Sequence, residues 1–99
     1  MEKDIRKSVI AGTWYPGDPG VLRREIRRYF ENASPAPVGG RIVGLVSPHA
    51  GYRYSGQIAA HGYRLVEGQR YDAVVVIGPS HRVLFGGASV WPSGGYETP

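Results

Sequence analysis

Two histidines, His49 and His81, each follow an apolar run that is typical of a buried strand. His49 comes three residues after the run 42–46, and His81 comes four residues after the run 73–77. If the two runs are adjacent parallel strands, which lie about 4.8 Å apart, both imidazoles reach the same edge of the sheet. Open α/β sheets bind their ligands at that edge. Two neutral imidazoles there would be good ligands for iron(II), zinc or copper.

A usable metal site needs at least one more ligand, which for non-haem iron(II) is commonly a carboxylate. Four carboxylates lie outside the charged N-terminus and the arginine-rich segment: Asp18, Glu67, Asp72 and Glu97. None has a spacing that points to the histidines, and the chain has no cysteine, which excludes thiolate ligands. We predict a site shared by His49 and His81, with iron(II) as the expected metal and copper or zinc as alternatives. The third ligand is not found in this chain. The alternative is that both histidines are surface or hydrogen-bonded residues of loops. His61 lies in a predicted helix, and we expect it to be structural or solvent-facing.

Cationic and aromatic side chains accompany the two histidines in the sequence. Arg53 and Arg82 flank them and could hold an anionic substrate or lower the pKa of the imidazoles. Tyr52 and Tyr54 could donate hydrogen bonds to a ligand or simply pack. Trp14 and Tyr15 form either the wall of a pocket or a hydrophobic plug on the core. All of these residues except Tyr52 are our candidates for substrate binding, whereas no catalytic residue and no small-molecule substrate can be identified.

Other chemistries lack their motifs. The chain contains no GxxxxGK[ST] phosphate loop, no GxGxxG and no GxSxG nucleophile elbow. Much of the net charge of +4 comes from four arginines within residues 23–28, which we interpret as the solvated face of a helix rather than a nucleic-acid patch. No apolar run of membrane-spanning length and no secretory signal pattern is present. We therefore expect a cytoplasmic protein without a membrane or nucleic-acid partner.

Two helices are expected to flank the sheet. Asp18 is a good N-cap and Pro19 fits the first helical position, so a helix with one apolar face should begin there and end near Asn32. Ser55 is expected to cap a second helix over residues 57–66. In both predicted helices the polar residues fall opposite the apolar ones. Each helix is therefore expected to pack its apolar face on the sheet and to expose its polar face to solvent.

The predicted strands are the two apolar runs, 42–46 and 73–77, and a third segment, 83–91. The second run carries β-branched residues on both faces, which is typical of a strand covered on both sides. Strand, helix and strand in this order form a βαβ unit with a right-handed crossover. We predict an α/β fold with a parallel or mixed sheet and flanking helices, in a single domain over residues 1–99. The charged residues 1–8 are expected to be a frayed or edge segment.

Three segments carry a resemblance to a known family. They are AGTWYP at 11–16, SPHAGYRYSG at 47–56 and VIGPSH at 76–81, in this order. On these segments the chain resembles the Memo family, also known as the B component of the AmmeMemoRadiSam system. The fold of that family is similar to that of the class III extradiol non-haem iron dioxygenases. The resemblance implies that His49 and His81 match the family's two metal-binding histidines, in a protein that is an iron-dependent redox or dioxygenase-like enzyme when complete.

The resemblance covers nearly all of the chain but only the N-terminal part of the longer family members. The family's third metal ligand is a cysteine far downstream, and an acidic residue and a histidine of its pocket also lie beyond this chain. We therefore expect a truncated Memo-like domain that is inactive alone and is completed by the missing C-terminal segment or by an oligomer. Memo proteins are also linked to phosphotyrosine peptides, so a non-enzymatic module for such peptides or other anions is the alternative.

Overall fold

The computed structural model describes residues 4–99. Its elements are β1 (Ile5–Arg6), α1 (Pro19–Glu31), α2 (Tyr52–Val66) and β2 (Gly95–Tyr96). β1 and β2 pair in parallel, so the chain has an α/β fold, as the sequence predicts. No helix within residues 4–99 is long and apolar enough to cross a membrane. Of the charged N-terminal segment, residues 1–3 lie outside the described part of the chain.

Helix α1 begins and ends where its local sequence predicts. The Asp18 carboxylate accepts a hydrogen bond from the backbone N–H of Val21 at 2.9 Å, and proline occupies the first turn. Because the first N–H groups of a helix lack internal partners, this cap stabilises the start of α1. At the other end, the N–H of Asn32 donates to the carbonyl of Arg28 at 3.0 Å. The predicted boundaries of this helix are confirmed.

Helix α2 begins at Tyr52, five residues before the predicted start, and the prediction of Ser55 as its N-cap is wrong. The Ser55 hydroxyl lies inside the helix and donates to the carbonyl of Ala50 at 3.1 Å. The N–H of Tyr52 donates to the carbonyl of Trp14 at 2.8 Å. A distant loop therefore satisfies an N–H at the helix start, and this contact does not appear in the local sequence pattern.

The two helices pack closely because Gly56 faces the ring of Tyr29. A Cβ atom on Gly56 would lie 2.7 Å from Cε2 of that ring. The side chain of Gln57 donates to the carbonyl of Tyr29 at 2.8 Å, and the Arg64 guanidinium donates to the carbonyl of Phe30. The carbonyl of Tyr29 in the last turn of α1 is thus satisfied from α2, and the carbonyl of Phe30 accepts from Arg64 in addition to the N–H of Ala33.

The three predicted strands at 42–46, 73–77 and 83–91 are not formed, and their prediction is wrong for the described residues. No backbone hydrogen bond joins 42–46 to 73–77. Their side chains are largely exposed, with relative accessibilities of 105% for Val46 and 90% for Val76. A β-branched run becomes a strand where a neighbouring strand supplies ladder bonds and another layer covers its face. Residues 4–99 provide neither for these runs.

The first two apolar runs nevertheless lie side by side in the same direction. At their beginnings, the Tyr71 hydroxyl donates to the carbonyl of Ile42 at 2.6 Å, and the Arg41 side chain donates to the carbonyl of Arg70 at 3.1 Å. Past their ends, the turns that follow the runs also meet, as described below. The order and direction of the predicted βαβ unit are therefore present around α2, without its sheet hydrogen bonds.

Candidate functional site

The structure brings the two histidines of the predicted site together. The ring centres of His49 and His81 are 5.3 Å apart, with an angle of 43° between the ring planes. Both residues are exposed, and neither ring makes a hydrogen bond with another described residue. His61, by contrast, uses its Nδ1 in a 2.8 Å hydrogen bond with the carbonyl of Gln57 in α2. His61 therefore has a role within its helix, as expected.

The separation of the rings matches two imidazoles on one metal ion. A metal bound to a ring nitrogen at about 2.1 Å lies about 3.2 Å from the ring centre. Two such rings at a roughly tetrahedral angle then have centres about 5 Å apart, which agrees with the 5.3 Å between His49 and His81. Within residues 4–99, no group of three or more His, Cys, Asp or Glu side chains could hold a metal. Among the described residues, the two imidazoles are therefore placed at a separation that two ligands of one metal would have, without a third ligand beside them.

A cavity of about 740 Å³ lies beside the histidine pair. It opens between the two helices, the turn 8–17 and the two histidine turns. Its lining includes Trp14, Tyr15, Tyr52, His49, His81 and Arg82. Its size is that of pockets that hold a drug-sized molecule.

Three of the five candidates for substrate binding line this cavity, and two do not. Trp14, Tyr15 and Arg82 are in the lining, whereas Arg53 and Tyr54 lie outside it. Tyr54 is 76% exposed, and the Arg53 guanidinium lies 5.8 Å from the centre of its ring. Both residues fall on the face of α2 that points away from the cavity.

Sequence reasoning missed several residues of α2 that line the cavity. Gly56, Ala59 and Tyr63 recur at helical spacing and share one face of the helix with Tyr52, which the sequence already suggested as a donor to a ligand. Ala59 and Tyr63 lie within the predicted helix, so their spacing could have been read from the sequence. The later predicted start left only Tyr52 and Gly56 outside that helix.

The turn 8–17 fixes one wall of the cavity. The Ser8 hydroxyl accepts a hydrogen bond from the N–H of Ala11 at 3.1 Å and is hydrogen-bonded to the Tyr15 hydroxyl. The carbonyl of Trp14 then joins the turn to the first residue of α2, Tyr52. These bonds fix the backbone of Trp14 and the hydroxyl of Tyr15 beside α2, while the Trp14 side chain stays 46% exposed. We call Trp14, Tyr15 and Tyr52 together the aromatic wall.

Within the aromatic wall, the rings of Tyr15 and Tyr52 have centres 5.3 Å apart and are tilted by 40°. Burial raises the pKa of Tyr52, and the neighbouring Tyr15 and Tyr63 raise it further. Burial also raises the pKa of Tyr29, whose hydroxyl donates to the Glu25 carboxylate at 2.6 Å. Both phenols therefore keep their proton at neutral pH.

Charge in the cavity lining has one sign. Among the described residues of the lining, Arg82 is the only lysine or arginine, and none is an aspartate or glutamate. Arg82 directly follows His81 in a turn where the Ser80 hydroxyl donates to the carbonyl of Val83 at 2.5 Å. The cavity therefore combines an apolar aromatic wall, two imidazoles and one permanent positive charge.

Comparison with known proteins identifies relatives over almost the whole chain. The family model of the Memo-like proteins matches residues 6–99. A MEMO1 family protein from Methanothermobacter thermautotrophicus is 41% identical, over 96% of this chain and 37% of the relative. A MEMO1 family protein from Schizosaccharomyces pombe is 37% identical, over 85% of this chain and 26% of the relative. The protein memo-1 homolog of Caenorhabditis elegans is 35% identical, over 95% of this chain and 26% of the relative.

The chain spans only about a quarter to two fifths of the length of the curated relatives that it matches, for example 37% of the archaeal protein and 26% of the nematode protein. No solved structure matches the chain.

Proposed function

The chain belongs to the Memo-like protein family, and we propose that it supplies two histidine ligands, His49 and His81, to a redox-active iron(II) centre. The observation that supports this proposal best is the 5.3 Å separation of the two imidazoles beside an aromatic-walled cavity. Imidazole also suits copper and zinc, which are the alternative metals.

Each part of the site has a separate task in this proposal. His49 and His81 would hold the metal through their ring nitrogens, and the metal would supply redox chemistry when bound. The aromatic wall covers the substrate and excludes water from it. The protonated hydroxyl of Tyr52 provides a hydrogen-bond donor in this wall, because burial raises its pKa. The whole activity is that of a dioxygenase-like redox enzyme, with a substrate that the next subsection addresses.

The third ligand comes from outside the described residues in this proposal. The relatives are about three to four times as long as the matched region, so a further polypeptide segment corresponding to the rest of their length can supply it. A second copy of the chain is the other source. In either case residues 1–99 alone bind the metal weakly and are inactive, since a site with two protein ligands is incomplete.

An anaerobic iron(II) titration of residues 1–99 tests the proposal. We expect saturable binding that is lost in the His49→Ala/His81→Ala double variant. The matched control is His61→Ala, because His61 is bonded to the carbonyl of Gln57 and lies outside the site. Binding that persists in the double variant, or no binding by a sample that circular dichroism shows to be folded, would contradict the proposal.

A second candidate function, recognition of a phosphotyrosine peptide or another anion without chemistry, is favoured by Arg82 in the cavity lining. A guanidinium binds phosphate through paired hydrogen bonds. This function predicts that Arg82→Ala abolishes binding of a phosphotyrosine peptide while the histidine double variant retains it. Arg53→Ala, outside the lining, serves as the matched control. Equal loss in the Arg82 and Arg53 variants would count against the cavity as the binding site.

A further inference from the structure

The chemistry of the cavity limits the kind of molecule that it can hold. Two features decide this, namely the charge of the lining and the shape of its walls. Both can be considered without a metal, although the inference rests on the proposed function in taking this cavity as the site of the substrate.

The charge of the lining selects an anion of low charge. Arg82 is the only permanently charged residue among the described residues that line the cavity. Its guanidinium makes no hydrogen bond or ion pair with another described residue, so its donors are available to a ligand. An unpaired guanidinium prefers carboxylate or phosphate, which it can bind through two parallel hydrogen bonds. A single guanidinium neutralises one negative charge, which matches a carboxylate better than a phosphate dianion.

The walls select a flat, apolar body. The aromatic wall of Trp14, Tyr15 and Tyr52 lies on one side of the cavity. Aromatic side chains pack best against other rings, in offset-stacked or edge-to-face arrangements. A volume of about 740 Å³ accommodates a molecule of two or three rings.

The lining has hydrogen-bond donors that are not engaged within the described chain. The hydroxyls of Tyr15 and Tyr29 are hydrogen-bonded to Ser8 and Glu25. The hydroxyls of Tyr52 and Tyr63 and the indole N–H of Trp14 make no hydrogen bond with another described residue. Within the aromatic wall, Tyr52 and Trp14 can therefore donate to an oxygen atom on the ligand.

We propose that the cavity takes an aromatic carboxylate, whose carboxylate group pairs with Arg82 while its rings pack on Trp14, Tyr15 and Tyr52. The histidine pair lies in the same lining, so the ligand and the proposed metal are neighbours in this site. The class of substrate is thus a monoanionic, planar, apolar acid.

The test uses metal-free residues 1–99 and three matched probes: 2-naphthoate, the neutral 2-naphthamide and 2-naphthyl phosphate. Binding is followed by NMR at pH 8, where unperturbed histidines are neutral. The indole N–H signal of Trp14 is the reporter, and Trp91→Phe distinguishes it from the second tryptophan. We expect saturable shifts with 2-naphthoate and weaker binding of the amide.

Two arginine variants give the decisive comparison. We expect Arg82→Gln to lower the affinity for 2-naphthoate about three- to tenfold, to that for the amide, because the pair is partly exposed to solvent. Arg53→Gln should change nothing, since Arg53 lies outside the lining. The variant Tyr52→Phe should weaken binding of 2-naphthoate and of 2-naphthamide. The rest of the NMR spectrum should show that the fold is kept.

Three results would overturn the inference. They are equal affinity for 2-naphthoate and 2-naphthamide, an Arg82→Gln variant that binds 2-naphthoate as the parent does, and no binding by the folded chain. A preference for 2-naphthyl phosphate that depends on Arg82 would also overturn the carboxylate assignment, in favour of phosphate recognition. The metal proposal fails separately, because the naphthoate experiment is done without metal: iron(II) binding that persists in the His49→Ala/His81→Ala variant would overturn the metal proposal and leave the role of Arg82 untouched.

Discussion

The helical layer and the apolar segments of this chain differ in their backbone hydrogen bonding and in how far other residues cover them. The helical layer consists of α1, α2 and the turn 8–17, and its backbone polar groups find partners within the described residues. The apolar segments are 42–46, 73–77 and 83–91, and they have neither ladder hydrogen bonds nor cover. A helix satisfies its own backbone, whereas a strand depends on neighbours. The free energy of folding should therefore be concentrated in the helical layer.

The largest difference in the free energy of unfolding should appear when one apolar side chain is changed in each region. Leu22 in α1 is 7% exposed, and Val76 in the second apolar segment is 90% exposed. We expect Leu22→Ala to lower the free energy of unfolding by about 2–4 kcal/mol, since it removes buried methyl groups and leaves a cavity. Urea unfolding followed by circular dichroism measures this loss. A loss below about 0.5 kcal/mol would show that α1 is not part of the stable core.

Two glycines of α2 test how closely the helical layer is packed. A Cβ on Gly56 would lie 2.7 Å from the Tyr29 ring, whereas a Cβ on Gly62 would have Leu45 Cδ2 as its nearest neighbour at 3.8 Å. We expect Gly56→Ala to destabilise the protein by about 1–3 kcal/mol, because it forces α1 and α2 apart. Gly62→Ala, the matched control, should stabilise it by about 0.5–1 kcal/mol, because alanine favours the helix. The same sign for both variants in thermal unfolding would contradict the packing of this interface.

Alkaline pH should weaken the helical layer through its two half-buried phenols, Tyr29 and Tyr52. The pKa of Tyr52 and that of Tyr29 are raised in the folded chain, mainly by burial. At pH values well below about 10, the folded and unfolded states both keep these phenol protons, so the two tyrosines do not change the free energy of unfolding with pH. As the pH rises from about 10 through the higher folded pKa values, the unfolded state loses protons first, and the free energy of unfolding falls.

Urea unfolding between pH 8 and pH 11 measures this decline. Its controls are Tyr29→Phe and Tyr52→Phe, each of which should flatten part of the slope because one titrating group is removed. If the free energy of unfolding falls with pH as steeply in both variants as in the parent chain, the alkaline effect comes from other groups, such as lysines.

The smallest effect is expected in the apolar segments. Val76→Thr should change the free energy of unfolding by less than about 0.5 kcal/mol, because the side chain is already in contact with water. A clear loss would show that this segment is packed in solution, and the comparison with the helical layer would no longer hold. The same variant should weaken any complex in which a further polypeptide covers the segment.

The meeting of the two histidine turns could be predicted from the order of the elements along the chain. The order of strand-like run, helix and strand-like run predicts that the turns carrying His49 and His81 meet, and their rings are 5.3 Å apart. The two runs are adjacent at their beginnings as well, through Tyr71 and Ile42. Direction and adjacency therefore follow from the connection through α2, even where the sheet hydrogen bonds are not made.

The two arginines show where such reasoning ends. Arg53 and Arg82 each stand near a histidine in the sequence, and nothing in the local pattern separates them. Only the start of α2 at Tyr52 decides that Arg53 points away, since it sets the helical phase of every following residue. That start depends on the carbonyl of Trp14, a contact with a distant turn.

The sequence by itself determined α1, with its cap at Asp18, and the positions of the two histidine turns, because these depend on neighbours within a few residues. The tertiary structure decided where α2 begins, which side chains face the cavity and whether the apolar runs become strands. Each of these outcomes depends on hydrogen-bond partners and cover from residues far away in the chain. A strand-like pattern of side chains indicates that a run can form a strand when partners are present, but those partners come from elsewhere in the fold.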